Sequence, residues 1–279
     1  MSIVLPYTSL HGPSYQRGYA RSAEESRYPG LWKGLVGLWI PGLGPTGSTL
    51  RDVSGYGNHG TIELAPWRTG AAGHYLEGSA DLDPIARRVV FTKNWRSLFG
   101  TQASIVMYLR MSGNNASPGN NIMQFEATSG EKLHYGQFAS ELLYITTFAT
   151  SRIIDEVNNT AFDKTQWHSL AITTKPGAGN YRLYQDGKEM ASGTGPASVK
   201  VTSGLVLMGQ THPATAGDMD LVYTSIYNRE LTPNEVQDHN DPYALVRPRQ
   251  HWYPAVTAAA PAAGNPWNYY HQQQTVCGA

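Results

Sequence analysis

Residues 34–62 read GLVGLWIPGLGPTGSTLRDVSGYGNHGTI, and the fold is decided there. Leu35 to Ile40 (LVGLWI) is a short run of branched and aromatic residues, the signature of a strand. Ser54-Gly55-Tyr56-Gly57-Asn58-His59-Gly60 reads as a tight loop whose glycines permit positive φ. Asp52 and Asn58 have short polar side chains suited to bonding that loop's backbone.

Working outward, the same strand character recurs. Ser104 to Met111, Ile122 to Phe125, Leu142 to Phe148, Trp167 to Thr174, Leu205 to Met208 and Leu221 to Tyr227 are short and rich in β-branched and aromatic residues. In WHSLAITT, His168, Leu170 and Ile172 share one face, while Trp167 and Ala171 take the other. Tyr181 to Met190 (YRLYQDGKEM) contains Asp186-Gly187, a strong hairpin-turn signal. One helix is expected, from the Thr232 N-cap with Pro233 at its first position, ending near Asn240. Many strands, one short helix and no strand–helix alternation predict an all-β antiparallel sandwich rather than a parallel-sheet enzyme.

Composition agrees. Charged residues make up 15% of the 279-residue chain, against about 25% in typical domains, which leaves little solvated helix surface. Lys plus Arg and Asp plus Glu number 21 each. That zero balance argues against a nucleic-acid partner, which needs a basic excess or patch. The one cysteine, Cys277, excludes an internal disulfide. No apolar run approaches the length of a membrane span. The start, MSIVLPYTSLHGPSYQRGYARS, lacks a basic-then-apolar export signal.

Four blocks in order resemble concanavalin A-like, laminin G-like jelly-roll domains. They are residues 34–62, LEGSADLD (76–83), WHSLAITTKPGAGNYRLYQDGKEMASGT (167–194) and DLVYTSIYNRELTPNEV (220–236). The resemblance implies a laminin G-like domain over residues 31–244, flanked by arms at 1–30 and 245–279. It also implies that Trp39 and Trp167 belong to the core. DPYALVRPRQ (241–250) is similar to the tails of such domains in phage-associated and environmental bacterial proteins.

The same superfamily includes laminarinase-type glycosidases, which carry two glutamates on one strand in a Glu-x-Asp-x-x-Glu pattern. No such run occurs here. Asp81 and Asp83 stand two residues apart, and without that context they read as a loop-stabilising acidic pair rather than a catalytic one. Nucleophile-elbow, phosphate-loop and zinc-helix motifs are also missing. The expectation is therefore a non-enzymatic domain.

Two binding chemistries remain. Asp52, Asn58 and Asp220 are the candidate calcium ligands, although the acid that relatives carry on the closing strand is lost from VYTSIY (222–227). Trp67, Trp95, Tyr135 and Tyr144 are the candidate glycan platforms. Tyr15, Tyr19, Tyr28, Trp252, Trp267 and Tyr269 are aromatic anchors in the arms. Two readings of the arms stay open: they cover the domain's own sheet edges, or they add across neighbouring subunits. The function expected is a phage virion accessory protein, a capsid decoration or tail component, binding other subunits and host-surface glycans. A bacterial cell-surface or secreted carbohydrate-binding module is the alternative, and a divergent glycosidase the distant one.

Overall fold

A computed structural model describes residues 12–78, 87–93, 95, 98–99, 101–111, 120–126, 133–137, 142–147, 151–158, 166–177, 181–194, 203–208 and 219–249. Among these residues the chain forms sixteen strands and one α-helix. In chain order the first seven strands are β1 (Leu35–Trp39), β2 (Thr49–Leu50), β3 (Gly60–Glu63), β4 (Trp67–Gly70), β5 (Gly73–Leu76), β6 (Arg88–Phe91) and β7 (Ala103–Met111). Then come β8 (Asn120–Glu126), β9 (Leu133–Gln137), β10 (Leu142–Thr147), β11 (Ser151–Asn158) and β12 (His168–Thr174). The chain closes with β13 (Tyr181–Gln185), β14 (Lys188–Gly193), β15 (Ser203–Leu207), β16 (Met219–Tyr227) and helix α1 (Pro233–Asp238).

The strands form two eight-stranded antiparallel sheets. One runs β14-β13-β12-β7-β16-β5-β4, with β1 sharing the β5 side of β16; the other runs β11-β10-β9-β8-β15-β6-β3-β2. Alternation along β7 explains the packing. Ile105, Met107 and Leu109 point between the sheets with Leu170 and Ile172, and meet Phe91, Leu205 and Leu207 from the other sheet. Trp39 is fully buried in that layer, with ring centroids 4.6 Å from Phe91 and 5.6 Å from Trp95. All-β order with one short helix is the β-sandwich that the sequence predicts. The short strands β2 to β6 escape the sequence reading because each is only two to four residues long, too short to show a period.

The outward face of the first sheet is not left to solvent. Val106, Ala171, Tyr184 and Val222 on that face are covered by Leu31, Leu43, Val236 and Leu245. These come from the short 3₁₀ turns Pro29–Trp32, Pro41–Leu43 and Ala244–Val246 and from α1. The segment 12–30 belongs to this cover. Its amides at Tyr15, Ala20 and Arg27 donate to Leu43, Val246 and Arg247 at 3.0, 2.9 and 2.9 Å. Tyr15, Tyr19 and Tyr28 pack against the same outer cluster. These three tyrosines therefore anchor the segment to its own domain, as the first of the two readings of the arms expects. Apolar rings on a short chain segment find area at least entropic cost on the sheet beside them. The chain divides into two compact units, one running to Arg249 and one comprising Gln250–Ala279. Trp252, Trp267 and Tyr269 lie outside the described residues.

Two local devices follow the sequence closely. At the β13–β14 turn, Asp186 and Gly187 have φ of 49° and 76°, the left-handed pair that a two-residue hairpin requires. At α1, Thr232 Oγ1 accepts from the Glu235 amide and Glu235 accepts from the Thr232 amide, completing a capping box. Burial raises the Glu235 carboxyl, but Arg229 and the Thr232 backbone outweigh it and hold the pKa at about 2. Thr232→Ala should cost about 1 kcal/mol, read as a lower urea midpoint at unchanged m-value. An unchanged midpoint would show that the cap is dispensable.

Candidate functional site

A pocket opens where the N-terminal segment crosses the domain. Three glycine-containing pieces build it. The first is the turn Ser14–Gly18, closed by a Gly18 amide to Ser14 carbonyl bond of 2.9 Å and an Arg17 amide to Ser14 Oγ bond of 3.0 Å. Gly18 supplies the positive φ, 99°, that this turn needs. The second is the 3₁₀ turn Pro41–Leu43 with Gly44, and the third is the β4–β5 hairpin. Tyr243 joins the last two: its hydroxyl lies 3.3 Å from the Gly42 carbonyl and 3.2 Å from that of Ala72.

The cavity has a volume of about 280 Å³, near the lower end of small-ligand sites. Missing side chains help make the room. A Cβ at Gly42 or Gly73 would come within 2.5 or 2.8 Å of the Tyr243 hydroxyl, and one at Gly44 would touch both His74 and Tyr15. The walls present Tyr15, Gln16, Arg17, Thr69, His74 and Tyr243. His74 Nδ1 bonds Thr69 Oγ1 at 3.0 Å, which fixes the imidazole in the wall. Burial, with help from Tyr19 and against Arg51, pushes the Tyr15 phenol up to about 12. Burial also raises Tyr243. Both phenols are neutral donors at ordinary pH. Two aromatic rings and several polar groups thus line one cavity.

A second aromatic group lies on the outward face of the first sheet. Trp167 and Tyr108 stack with centroids 6.0 Å apart and planes 3° from parallel. Arg110 sits 5.0 Å over Trp167 and 5.6 Å over Tyr75. Its guanidinium donates to Asp220 Oδ2 at 2.6 and 3.1 Å. Burial raises the Asp220 carboxyl against the pull of Arg110. The rings and the cation already satisfy one another, so this ladder holds the sheet rather than offering an open platform. Trp167, expected in the core, is a half-buried member of it.

The sequence candidates fare differently. Trp95 is 0% exposed in the layer between the sheets and cannot be a glycan platform, a correction caused by its packing on Trp39. Trp67 packs against the edge of that layer, and its indole donates to the Gly47 carbonyl at 2.9 Å. Tyr135 and Tyr144 lie on the adjacent strands β9 and β10, but their side chains are outside the described residues. So are Asp81 and Asp83.

The calcium set is also corrected. Both oxygens of Asp52 face backbone donors: Oδ1 takes the Leu38 and Ser54 amides and Oδ2 the Asn58 amide. Lone pairs aimed at N–H groups do not serve a cation. Asp220 is bound to Arg110 instead, and no group of three His, Cys, Asp or Glu side chains that could hold a metal ion occurs among the described residues. His168, at the start of β12, pairs at 2.7 Å with Asp186 of the β13–β14 turn. Sequence reasoning missed the pocket itself. Its available signal was Tyr15-Gln16-Arg17, read as part of an arm.

No helix among the described residues is long and apolar enough to cross a membrane. No curated protein matches the sequence. Among solved structures, the chain is similar to a Trypanosoma rangeli sialidase at 14% identity and TM-score 0.51, covering 74% of this chain and 32% of the sialidase. It is also similar to the binding domain of botulinum neurotoxin DC, solved with rat synaptotagmin II, at 16% identity and TM-score 0.51, over 74% and 51% of the two chains. The binding domain of the Paraclostridial mosquitocidal protein 1 gives 14% identity and TM-score 0.50 over 74% and 52%. The chain thus spans about a third of the sialidase and half of each toxin domain, and such low identities show the fold alone. A family model for the laminin G-like "Concanavalin A-like lectin/glucanases superfamily" matches residues 88–237, just over half of the chain. With its two stacked antiparallel sheets, this chain belongs to the concanavalin A-like lectin/glucanases superfamily.

Proposed function

We propose that the chain is a non-catalytic, glycan-binding domain and that the pocket at Tyr15, His74 and Tyr243 is its saccharide site. The pocket geometry carries this reading. Sugars are bound by a ring face laid on an aromatic side chain and by hydroxyls bonded to nearby polar groups. Tyr15 and Tyr243 provide rings, while Gln16, Thr69 and His74 provide donors and acceptors within one cavity. The non-catalytic part rests on the lining, which offers one imidazole and no carboxylate, whereas glycoside hydrolysis commonly uses two carboxyl groups.

Titration of the full chain on a glycan array, followed by calorimetry with the strongest ligand, tests the site. The double variant Gln16→Ala/His74→Ala should weaken binding at least tenfold. Leu64→Ala, exposed and outside the pocket, should bind like the wild type. Equal affinity in all three proteins would remove the pocket from the account. Release of reducing sugar from the bound glycan would overturn the non-catalytic reading.

We further propose that this binding serves a phage-like particle, with residues 250–279 as the contact to other subunits. Support comes from composition: Trp252, Trp267, Tyr269 and Tyr270 are aromatic anchors of the kind that dominate subunit contacts. Co-sedimentation with particles, lost on removing 250–279, is expected. A monomer with or without that stretch would favour the cell-surface module.

A further inference from the structure

The charges around the pocket are one-sided. Its lining contains Arg17 and His74 and no Asp or Glu, in a chain with equal numbers of basic and acidic residues. Among the described residues Arg68, Arg87, Arg88, Arg110, Arg182, Arg229 and Arg247 each pair with a carboxylate, while Arg21, Arg27, Arg51 and Arg249 do not. Arg17 has no carboxylate partner among the described residues. Its backbone is nonetheless fixed, because its amide bonds Ser14 Oγ and the next amide closes the turn. Near the Tyr15 phenol, Arg51 and Asp52 act in opposite senses, so the asymmetry lies in the lining itself. The acids that Tyr15 and Tyr243 sense are already engaged: Asp52 by three backbone amides and Asp241 by Arg247.

From this we infer that the pocket selects an acidic saccharide, with Arg17 clamping the carboxylate of a uronate-type sugar whose ring lies on Tyr15. This rests on the reading of the pocket as a saccharide site and names its ligand class. A guanidinium fits a carboxylate with two parallel N–H···O bonds, and such charge-assisted bonds are roughly twice as strong as neutral ones. Gln16, Thr69 and His74 remain for the hydroxyls. A neutral sugar would leave Arg17 without its partner but would keep the ring and hydroxyl contacts. Discrimination, not binding itself, is therefore what Arg17 provides.

Glucuronate and glucose share a ring and differ at the carboxylate, so they separate the two claims. Calorimetry on the full chain should show glucuronate binding at least tenfold tighter than glucose, the difference shrinking as salt is raised from 50 to 500 mM. Arg17→Gln should abolish that preference, bringing the two affinities to within about twofold of each other, with the melting temperature unchanged. Arg17→Lys should keep only part of it, because an ammonium cannot make the two-pronged contact. Acetate in excess should not displace glucuronate, since it lacks the ring. Equal wild-type affinities for the two sugars would overturn the acidic selection and leave the saccharide site standing. A glucuronate preference that survives Arg17→Gln would move the clamp elsewhere. Failure of both sugars to bind would count against both claims, and full displacement by acetate would reduce the site to an anion hole.

Discussion

Asp52→Ala should destabilise the domain by roughly 3–5 kcal/mol. Three buried or half-buried amides, those of Leu38, Ser54 and Asn58, end on its carboxylate at 3.0, 2.8 and 2.8 Å. Each orphaned donor costs about 1–3 kcal/mol. The consequences extend beyond the loop. Asn58, held in place by that bond, accepts the Trp39 indole through its carbonyl at 2.8 Å and donates its side-chain amide to the Val36 carbonyl at 2.8 Å. Removing one carboxylate thus loosens both the edge of β1 and the largest ring between the sheets. Against a total stability of about 5–15 kcal/mol, the variant should unfold at a much lower urea concentration. Asp52→Asn should lie between, since its amide oxygen can still take Leu38 and Ser54 while its NH₂ meets the Asn58 donor. A loss below about 1 kcal/mol in Asp52→Ala would show that the loop is held by something else.

Acid should produce the second large effect, through His239. Its ring is fully buried between two tyrosines, with Nδ1 2.9 Å from the Tyr223 hydroxyl and Nε2 3.0 Å from that of Tyr227. A neutral ring can satisfy both, donating at one nitrogen and accepting at the other; a protonated ring would have to donate twice. Burial depresses its pKa to about 3, against about 6.5 when unfolded. The sign follows from proton uptake. Below pH 6.5 the unfolded chain takes a proton that the folded chain refuses until about pH 3, so stability is complete above pH 6.5 and is lost as pH falls. At about 1.4 kcal/mol per pH unit, the loss between pH 7 and 4.5 is roughly 2–3 kcal/mol. Glu235 acts lower: its depressed pKa of about 2 stabilises above pH 4.5 and is lost toward pH 2. The two windows are thus separable. His239→Gln, which can also donate and accept, should remove the pH 7 to 4.5 slope. If the slope persists in that variant, His239 is not its source.

How much of this was legible in the residues depends on length and locality. SIVMYLRM and WHSLAITT advertise long central strands and LVGLWI a shorter one, and the face assigned to Leu170 and Ile172 is the one that packs between the sheets. The Asp186-Gly187 turn and the Thr232–Glu235 box are local chemistry, visible within four residues. The cover on the outward face was not visible, because nothing near Tyr15 or Leu245 in sequence announces that they meet across the domain. Trp95 misled for the same reason. A tryptophan between turns looks exposed until Trp39 and Phe91 arrive from distant strands. The pocket needs three chain segments, at 12–17, 42–45 and 69–74, along with Tyr243, and no periodicity in one segment encodes their convergence.

The claim that matters most is that the seam between residues 12–17 and the β4–β5 hairpin holds a sugar. A crystal structure of the full chain soaked with its best array ligand addresses it directly. Electron density for a sugar ring against Tyr15, within hydrogen-bond reach of His74 and Gln16, is the predicted result. A glycan seated instead over β9 and β10, with this pocket holding only solvent, would contradict it.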